Sequence, residues 1–321
     1  MKILVTGGAG FIGSHLCELL LNEGHQVEVI DDLSTGSLDN ISGFQDNPNF
    51  HFHLETIINE GFLDHIVRDT DQIYHLAAAV GVSYIIDNPL KSIQINVRGT
   101  ENILEAAHKY NKKVLLTSTS EIYGKNEEVP LSEEMDRILG STTKRRWSYS
   151  NTKALDEFLA LAYHSEKKLP VVIVRLFNTV GPRQTGQYGM VIPRFVHQAL
   201  LGKAITVYGD GEQTRCFCHV NDVVNALFKL MLRGEAEGEI YNIGSTEEIS
   251  INSLARLIIE TTKSNSKIKY LSYDEAYEKH FEDMRRRVPD ITKINKLIGF
   301  EPKRSIVEII KDIIEYYEKK H

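Results

Sequence analysis

Ile3-Leu4-Val5-Thr6-Gly7-Gly8-Ala9-Gly10-Phe11-Ile12-Gly13 is the stretch on which the fold turns. Ile3-Leu4-Val5 reads as a short buried strand, and the glycines follow it directly. Beyond them Ile12, Leu16, Leu19 and Leu20 recur at helical spacing over 11–23, and Gly24 ends the run. A bare glycine spacing carries little information, but a strand before it and a helix after it make a dinucleotide-binding signature. Gly7 permits the tight turn. Gly10, with Phe11 and Ile12 at the helix start, lets the backbone approach a pyrophosphate, and Gly13 lets helix and strand pack closely. Val27–Ile30 is the next strand, with Asp31 at its end. A carboxylate there accepts hydrogen bonds from the adenosine ribose hydroxyls and repels a 2′-phosphate. No arginine lies in 31–36, so NAD rather than NADP is expected, with Asp32 sharing the contact or capping the next turn.

The alternation continues outward. Strands are predicted at 50–54, 72–76, 113–119 and 171–175, and helices at 60–69, 89–109 and 149–167, the second headed by Pro89. Continuous apolar strand runs between helices predict an α/β fold, a Rossmann-type doubly wound parallel sheet covered on both faces. Residues 1–176 are read as the NAD-binding part, joined by portions of 205–245. The remainder, 177–321, is read mainly as a smaller, discontinuous C-terminal region that binds substrate. Its helices are expected near 190–201, 221–232, 251–262, 291–297 and 305–319, and short strands near 205–208, 240–243 and 268–271. In the last helix Ile306, Ile309, Ile310, Ile313, Ile314 and Tyr317 form one apolar face, expected to dock on the body.

The 321 residues include 37 Lys and Arg against 44 Asp and Glu, a net charge of −7. A mildly acidic chain is a poor nucleic-acid binder. Cys17, Cys216 and Cys218 make no disulfide framework, and no further cysteine lies near the last two to complete a metal site. Strand alternation accounts for His51 and His53, so no metal is expected. No apolar run reaches the roughly 18 residues of a membrane span. The opening strand leaves no room for a signal peptide, so the expected compartment is the cytoplasm.

Tyr149 and Lys153 lie on one face of a predicted helix. A phenol of pKa about 10 is a poor base at neutral pH. A neighbouring ammonium and a positive nicotinamide ring both favour its phenolate. The pair gains meaning behind an NAD signature and beside Thr117-Ser118-Thr119-Ser120 at a strand end. Together the glycine turn with Asp31, His75-Leu76-Ala77-Ala78, the hydroxyl cluster and Tyr149-x-x-x-Lys153 resemble the extended short-chain dehydrogenase/reductase family, which acts on nucleotide sugars. Asn178-Thr179-Val180-Gly181-Pro182-Arg183 and Val207-Tyr208-Gly209-Asp210-Gly211 resemble its later landmarks, so the resemblance spans essentially the whole chain.

The resemblance implies that Leu76, Ala77 and Ala78 border the NAD site. It implies that Tyr149 takes the proton of a sugar C4 hydroxyl while NAD takes the hydride. Lys153 then holds the nicotinamide ribose and lowers the Tyr149 pKa, and Thr119 orients the C4 oxygen. Asn178 and Arg215 resemble diphosphate contacts, and Val191, Ile192 and Pro193 with Tyr208 resemble a uridine wall. A homodimer through 90–109 and 149–165 is also implied, with Ile93, Val97, Ile103 and Leu104 exceeding what one sheet face needs.

Within the family the discriminating stretch is Thr119-Ser120-Glu121-Ile122-Tyr123-Gly124. Sugar 4-epimerases usually carry a small or apolar residue where Glu121 stands, and 4,6-dehydratases carry Asp then Glu. Ser-Glu resembles the UDP-glucuronate decarboxylases. Arg146-Trp147-Ser148-Tyr149, Arg215-Cys216-Phe217 and Phe281-Glu282-Asp283-Met284-Arg285-Arg286-Arg287-Val288-Pro289-Asp290 agree with that. The resemblance implies an enzyme that oxidises C4 of a UDP-sugar and, foremost, decarboxylates UDP-glucuronate. The alternatives are 4-epimerisation, 4,6- or 5,6-dehydration and C5 epimerisation. For a decarboxylase, Ser120 supports a developing oxyanion and Glu121 expels or orients the carboxylate. Arg287 governs the carboxylate or C5 protonation, with Arg285 as the alternative substrate-binding arginine.

Overall fold

The structure, a computed structural model, describes residues 1–186, 190–273 and 284–320. The first part of the chain runs β1 (Lys2–Thr6), α1 (Phe11–Asn22), β2 (Gln26–Asp31), β3 (Phe50–Leu54), α2 (Glu60–Arg68), β4 (Gln72–His75), α3 (Val82–Asp87), α4 (Pro89–Lys109), β5 (Lys113–Thr119), α5 (Trp147–Lys167), β6 (Val171–Leu176) and β7 (Thr179–Val180). It continues through α6 (Val191–Leu200), β8 (Ile205–Tyr208), β9 (Thr214–Cys216), β10 (Cys218–His219), α7 (Val220–Met231), β11 (Glu239–Ile243), β12 (Glu248–Ser250), α8 (Ile251–Thr262), β13 (Ile268–Leu271), α9 (Thr292–Ile298) and α10 (Ile306–Lys320).

Among the described residues the main sheet has seven strands in the order β11-β6-β5-β4-β1-β2-β3, and every neighbouring pair is parallel. The chain winds outward from β1 to β3, then crosses to β4 on the other side of β1. That reversal opens a crevice at the carboxyl ends of the strands, where open α/β sheets hold ligands. Alternate residues serve opposite faces. Ile3 and Val5 point to a core with α1, α7 and α9, through Leu16, Leu227 and Ile294. Leu4 points to a second core with α2, α4 and α5, through Ile66, Ile103 and Ala160. A third core joins α6, α8 and α10 to β8 through Phe195, Leu254, Ile309 and Val207. The apolar face of α10 docks there through Ile306, Ile309, Ile310 and Ile313.

The chain returns to the main sheet late, where Glu239–Ile243 of β11 pairs with β6. Helix α3 and the two- and three-residue strands β7, β9, β10 and β12 are too short for periodicity to reveal. Cys216 and Cys218 belong to different ladders, β9 with β12 and β10 with β7, and both thiols are buried. Ile103 and Leu104, read from the sequence as apolar surplus on α4, are wholly taken up by the sheet face. Among the described residues no His, Cys, Asp and Glu cluster suits a metal ion, and no helix is long and apolar enough to cross a membrane.

Two glycines hold the start of this fold together. Gly7 has φ of +73°, in the left-handed region, and a Cβ there would lie 2.9 Å from the backbone nitrogen of Ala77. A Cβ on Gly13 would lie 2.1 Å from the Gly7 carbonyl oxygen, so α1 approaches β1 at a distance that only glycine allows. Gly13→Ala is expected to push α1 outward and destabilise the protein by about 1–3 kcal/mol or more, as overpacking does. Urea unfolding checks this, and Gly24→Ala, whose Cβ meets nothing within 4 Å, serves as the control for turn strain alone.

Candidate active site

The crevice opens into a cleft of about 870 Å³ that reaches from the glycine turn across the ends of β5 and β6 to the C-terminal helices. Gly7, Gly10, Phe11, Ile12, Gly13, Asp31, Asp32, Leu76, Ala77 and Ala78 line one end. The α1 N-terminus has neither a capping side chain nor an acid in its first turn, so backbone N–H groups face the cleft, as a diphosphate requires. His75 lies between the hydroxyls of Thr6 (2.8 Å) and Thr100 (3.1 Å), and the Ala77 N–H donates to Thr6 Oγ1, which sets the 76–78 wall.

Asp31 is more engaged than a ribose acceptor alone. Its Oδ2 accepts from the Ala9 N–H at 3.0 Å and its Oδ1 from the Leu33 N–H at 2.8 Å. Burial pushes its pKa up, and these backbone donors oppose that. A carboxylate offers about four acceptor positions, so ribose hydroxyls share it with the turn. Asp32 is exposed and caps the turn through the Ser34 N–H at 2.9 Å, the second of the two roles expected. These groups fit a dinucleotide's diphosphate and adenosine ribose.

At the other end, the hydroxyl cluster divides. Thr117 donates to the His75 carbonyl at 3.0 Å and Ser118 to Glu157 at 2.5 Å, so both serve the scaffold. Thr119 caps the 3₁₀ turn Ser120–Tyr123 by accepting the Glu121 N–H at 3.2 Å, and it also hydrogen-bonds Tyr149. Tyr149 stands in the first turns of α5. Burial pushes its phenol well above the ordinary value, the Glu121 and Asp156 carboxylates add to this, and Thr119 opposes it. The lowering expected from Lys153 does not emerge from the protein groups alone, because the buried Lys153 ammonium is matched by Asp156 at 2.7 Å.

Glu121 lies between two guanidinium groups. Arg287 Nη2 is 2.8 Å from its Oε1 and Arg146 Nη2 is 3.2 Å from its Oε2. Burial raises the carboxyl pKa, but Arg146, then Arg287 and Arg215, outweigh it and hold the group at about 2. In the sequence Arg146 stands only within the Arg146-Trp147-Ser148-Tyr149 resemblance, with no role of its own. Its signal is its position one helical turn before Tyr149. Ser120 lies 3.5 Å from Arg287 Nη1.

The arginine triplet separates by direction. Arg285 is exposed and grips Asp210 at 2.9 Å, and Arg286 grips Glu248 at 2.7 Å. Arg287 turns inward and is 6% exposed. Arg285 therefore stands apart from the cleft. Asn178 and Arg215 line it while bonded to the carbonyls of Cys216 and Met284. Val191 and Tyr208 line it as well, whereas Ile192, one position along α6, is fully buried in the third core. The Arg194 guanidinium stacks 4.0 Å over the Tyr208 ring, a contact that no sequence pattern announced. Gln187–Gly189 and Phe281–Asp283 lie outside the described residues.

The sequence profile of the GDP-mannose 4,6-dehydratase family matches residues 4–313. The chain belongs to this family. Its motifs place it within the wider extended short-chain dehydrogenase/reductases. UDP-N-acetyl-α-D-glucosaminuronate decarboxylase of Bacillus cytotoxicus is 42% identical over 322 residues, 99% of this chain and 98% of the relative. UDP-glucuronic acid decarboxylase 1 of Xenopus tropicalis is 38% identical over 318 residues, 99% of this chain and 72% of the relative. The structure of the dTDP-glucose 4,6-dehydratase DesIV from Streptomyces venezuelae, solved with NAD bound, matches with a TM-score of 0.90 at 29% identity, covering 99% of this chain and 97% of that one.

The Glu121 environment has a pH signature. Its folded pKa of about 2 lies below the ordinary 4.5, so the stability it contributes is complete above pH 4.5 and is lost as pH falls through 2. Arg146→Leu removes the strongest lowering charge and lets burial raise the pKa. The acid-unfolding midpoint is then expected to move to higher pH, measured by circular dichroism against wild type.

Proposed function

We propose that this protein is an NAD-dependent decarboxylase of a UDP-linked glucuronate. The observation that carries the reading is the Glu121 carboxylate clamped by Arg146 and Arg287 beside Tyr149. A 4-epimerase only oxidises C4 and reduces it on the other face, and needs no such charges. Two guanidiniums against one carboxylate leave a net positive charge, which attracts a sugar bearing a C6 carboxylate. The 42% and 38% identical decarboxylases support the same reaction, with a 2-acetamido or a 2-hydroxyl group on the sugar.

When bound, NAD supplies the reversible two-electron oxidation at C4. Gly7, Gly10, Phe11, Ile12, Gly13, Asp31, Leu76, Ala77 and Ala78 are the residues that would hold it. Tyr149 takes the C4 hydroxyl proton, with Thr119 orienting it, Lys153 holding the nicotinamide ribose, and the positive charge that arrives with the cofactor favouring the phenolate. The C4 ketone makes C6 a β-keto acid. The C5–C6 bond then breaks, carbon dioxide leaves, and the electron pair settles as an enolate at O4. Thr119, Ser120 and Tyr149 donate to that oxygen where charge develops. Glu121, ionised beside the substrate carboxylate, repels it towards departure. Arg287 steadies that carboxylate. A proton from solvent at C5 converts the enolate to the 4-keto sugar, which leaves as such or takes back the hydride at C4 and the Tyr149 proton at O4.

Incubation with NAD and either UDP-glucuronate or its 2-acetamido counterpart, followed by mass spectrometry, tests this reading. The expected product has lost carbon dioxide, and unchanged mass with inverted C4 would make the protein an epimerase. Glu121→Gln is expected to spare C4 oxidation and slow carbon dioxide release by roughly 10²-fold or more, the scale of a lost transition-state electrostatic contact.

We also infer a homodimer. Leu90 and Ile93 on α4 and Leu155 and Phe158 on α5 are exposed, and the two helices are joined by Asn96 and Thr152 at 3.4 Å. The apolar residues left over are thus mostly different from those read off the sequence. Phe158→Glu is expected to give a monomer in sedimentation, where the wild type sediments as a dimer.

A further inference from the structure

Asn242 does not line the cleft, yet it is fully buried in β11 and its side chain and backbone N–H are engaged. Its Oδ1 accepts the Tyr123 hydroxyl at 2.8 Å. Its Nδ2 donates to the Leu131 carbonyl at 2.9 Å and to the Asp290 carbonyl at 3.3 Å. Its backbone N–H donates to Glu133 at 2.8 Å. Two of these partners lie in the segments that carry Glu121 and Arg287. Tyr123 shares the 3₁₀ turn Ser120–Tyr123 with Glu121. Asp290 closes the segment that carries Arg287.

That segment is held at two ends. Ahead of Arg287, the Thr214 N–H donates to the Arg285 carbonyl at 2.9 Å and Arg215 to the Met284 carbonyl at 2.8 Å. After it, Leu131 donates to the Val288 carbonyl and accepts from the Asp290 N–H, both at 2.8 Å. The anchor through Asn242 also reaches the Glu121 turn, at the Tyr123 hydroxyl. Arg175 supports it from below, pairing with Glu157 at 2.8 Å and donating to the Tyr123 hydroxyl at 3.0 Å and the Glu133 carbonyl at 2.8 Å.

We propose that Asn242 is a positioning residue that sets the distance between Glu121 and Arg287, by holding the Tyr123 hydroxyl and the Leu131 and Asp290 carbonyls on one planar amide. An amide alone offers an acceptor and two donors in fixed geometry; aspartate lacks the donors, and serine has one. The effect on the reaction rests on the decarboxylase reading above. The effect on geometry does not.

Asn242→Ser and Tyr123→Phe test the proposal in the full-length protein. Tyr123→Phe keeps the ring against Phe177 and leaves Arg175 the Glu133 carbonyl, so it retains the fold. Crystal structures read the Glu121–Arg287 contact, and single-turnover reactions with UDP-glucuronate and its 2-acetamido counterpart read NADH formation and carbon dioxide release separately. The contact is expected to lengthen, with C4 oxidation preserved and carbon dioxide release slowed roughly 10²-fold, the scale of an ångström of misplacement. An unchanged 2.8 Å contact in both variants, or an equal fall in both rates, overturns the proposal. Wild-type protein that releases no carbon dioxide overturns the decarboxylase reading instead, and the crystallographic comparison still decides the role of Asn242.

Discussion

The arrangement of this protein depends on the approach of α1 to β1 at Gly7 and Gly13, where a side chain would collide with backbone. That approach brings the helix N-terminus to the end of the first strand and aims its free N–H groups into the crevice. The sheet order places the crevice where β1 and β4 diverge, and the ends of β5 and β6 extend it. The cleft therefore runs from the glycine turn at one end to Thr119 and Tyr149 at the other.

Charge is managed in the same way throughout the site. Buried ions are costly unless paired with good geometry. Here Lys153 meets Asp156, Arg175 meets Glu157, and Glu121 meets two arginines. Burial, with the Glu121 and Asp156 carboxylates, raises the Tyr149 phenol pKa, so in the proposed reaction its activation depends on charges arriving with ligands. The third pairing holds a carboxylate ionised in a place where burial would otherwise protonate it.

What the sequence disclosed follows from range. Long periodic segments such as Pro89–Lys109 and Ile251–Thr262 declared their boundaries, because amphipathic spacing and capping are local properties. The glycine turn and the Tyr149–Lys153 spacing were legible for the same reason. Arg285, Arg286 and Arg287 are chemically identical in the sequence, and only the partners Asp210 and Glu248, distant along the chain, separate them from one another. Arg146 could have been found from its helical offset to Tyr149. Asn242 could not, since its meaning lies in Tyr123, Leu131 and Asp290, which nothing local brings together.

The double engagement of Asp31 has a consequence for redesign. In many nucleotide-binding proteins the acid after the second strand is a selectivity filter that can be exchanged to admit a phosphorylated cofactor. Here the same carboxylate fastens the Ala9 and Leu33 amides, and so staples the glycine turn to the loop that follows it. The proposed ribose contact and the architecture of the turn rest on one side chain. A change of cofactor would have to rebuild the turn as well as the filter, which makes this position a poor entry point for evolution and for engineering alike.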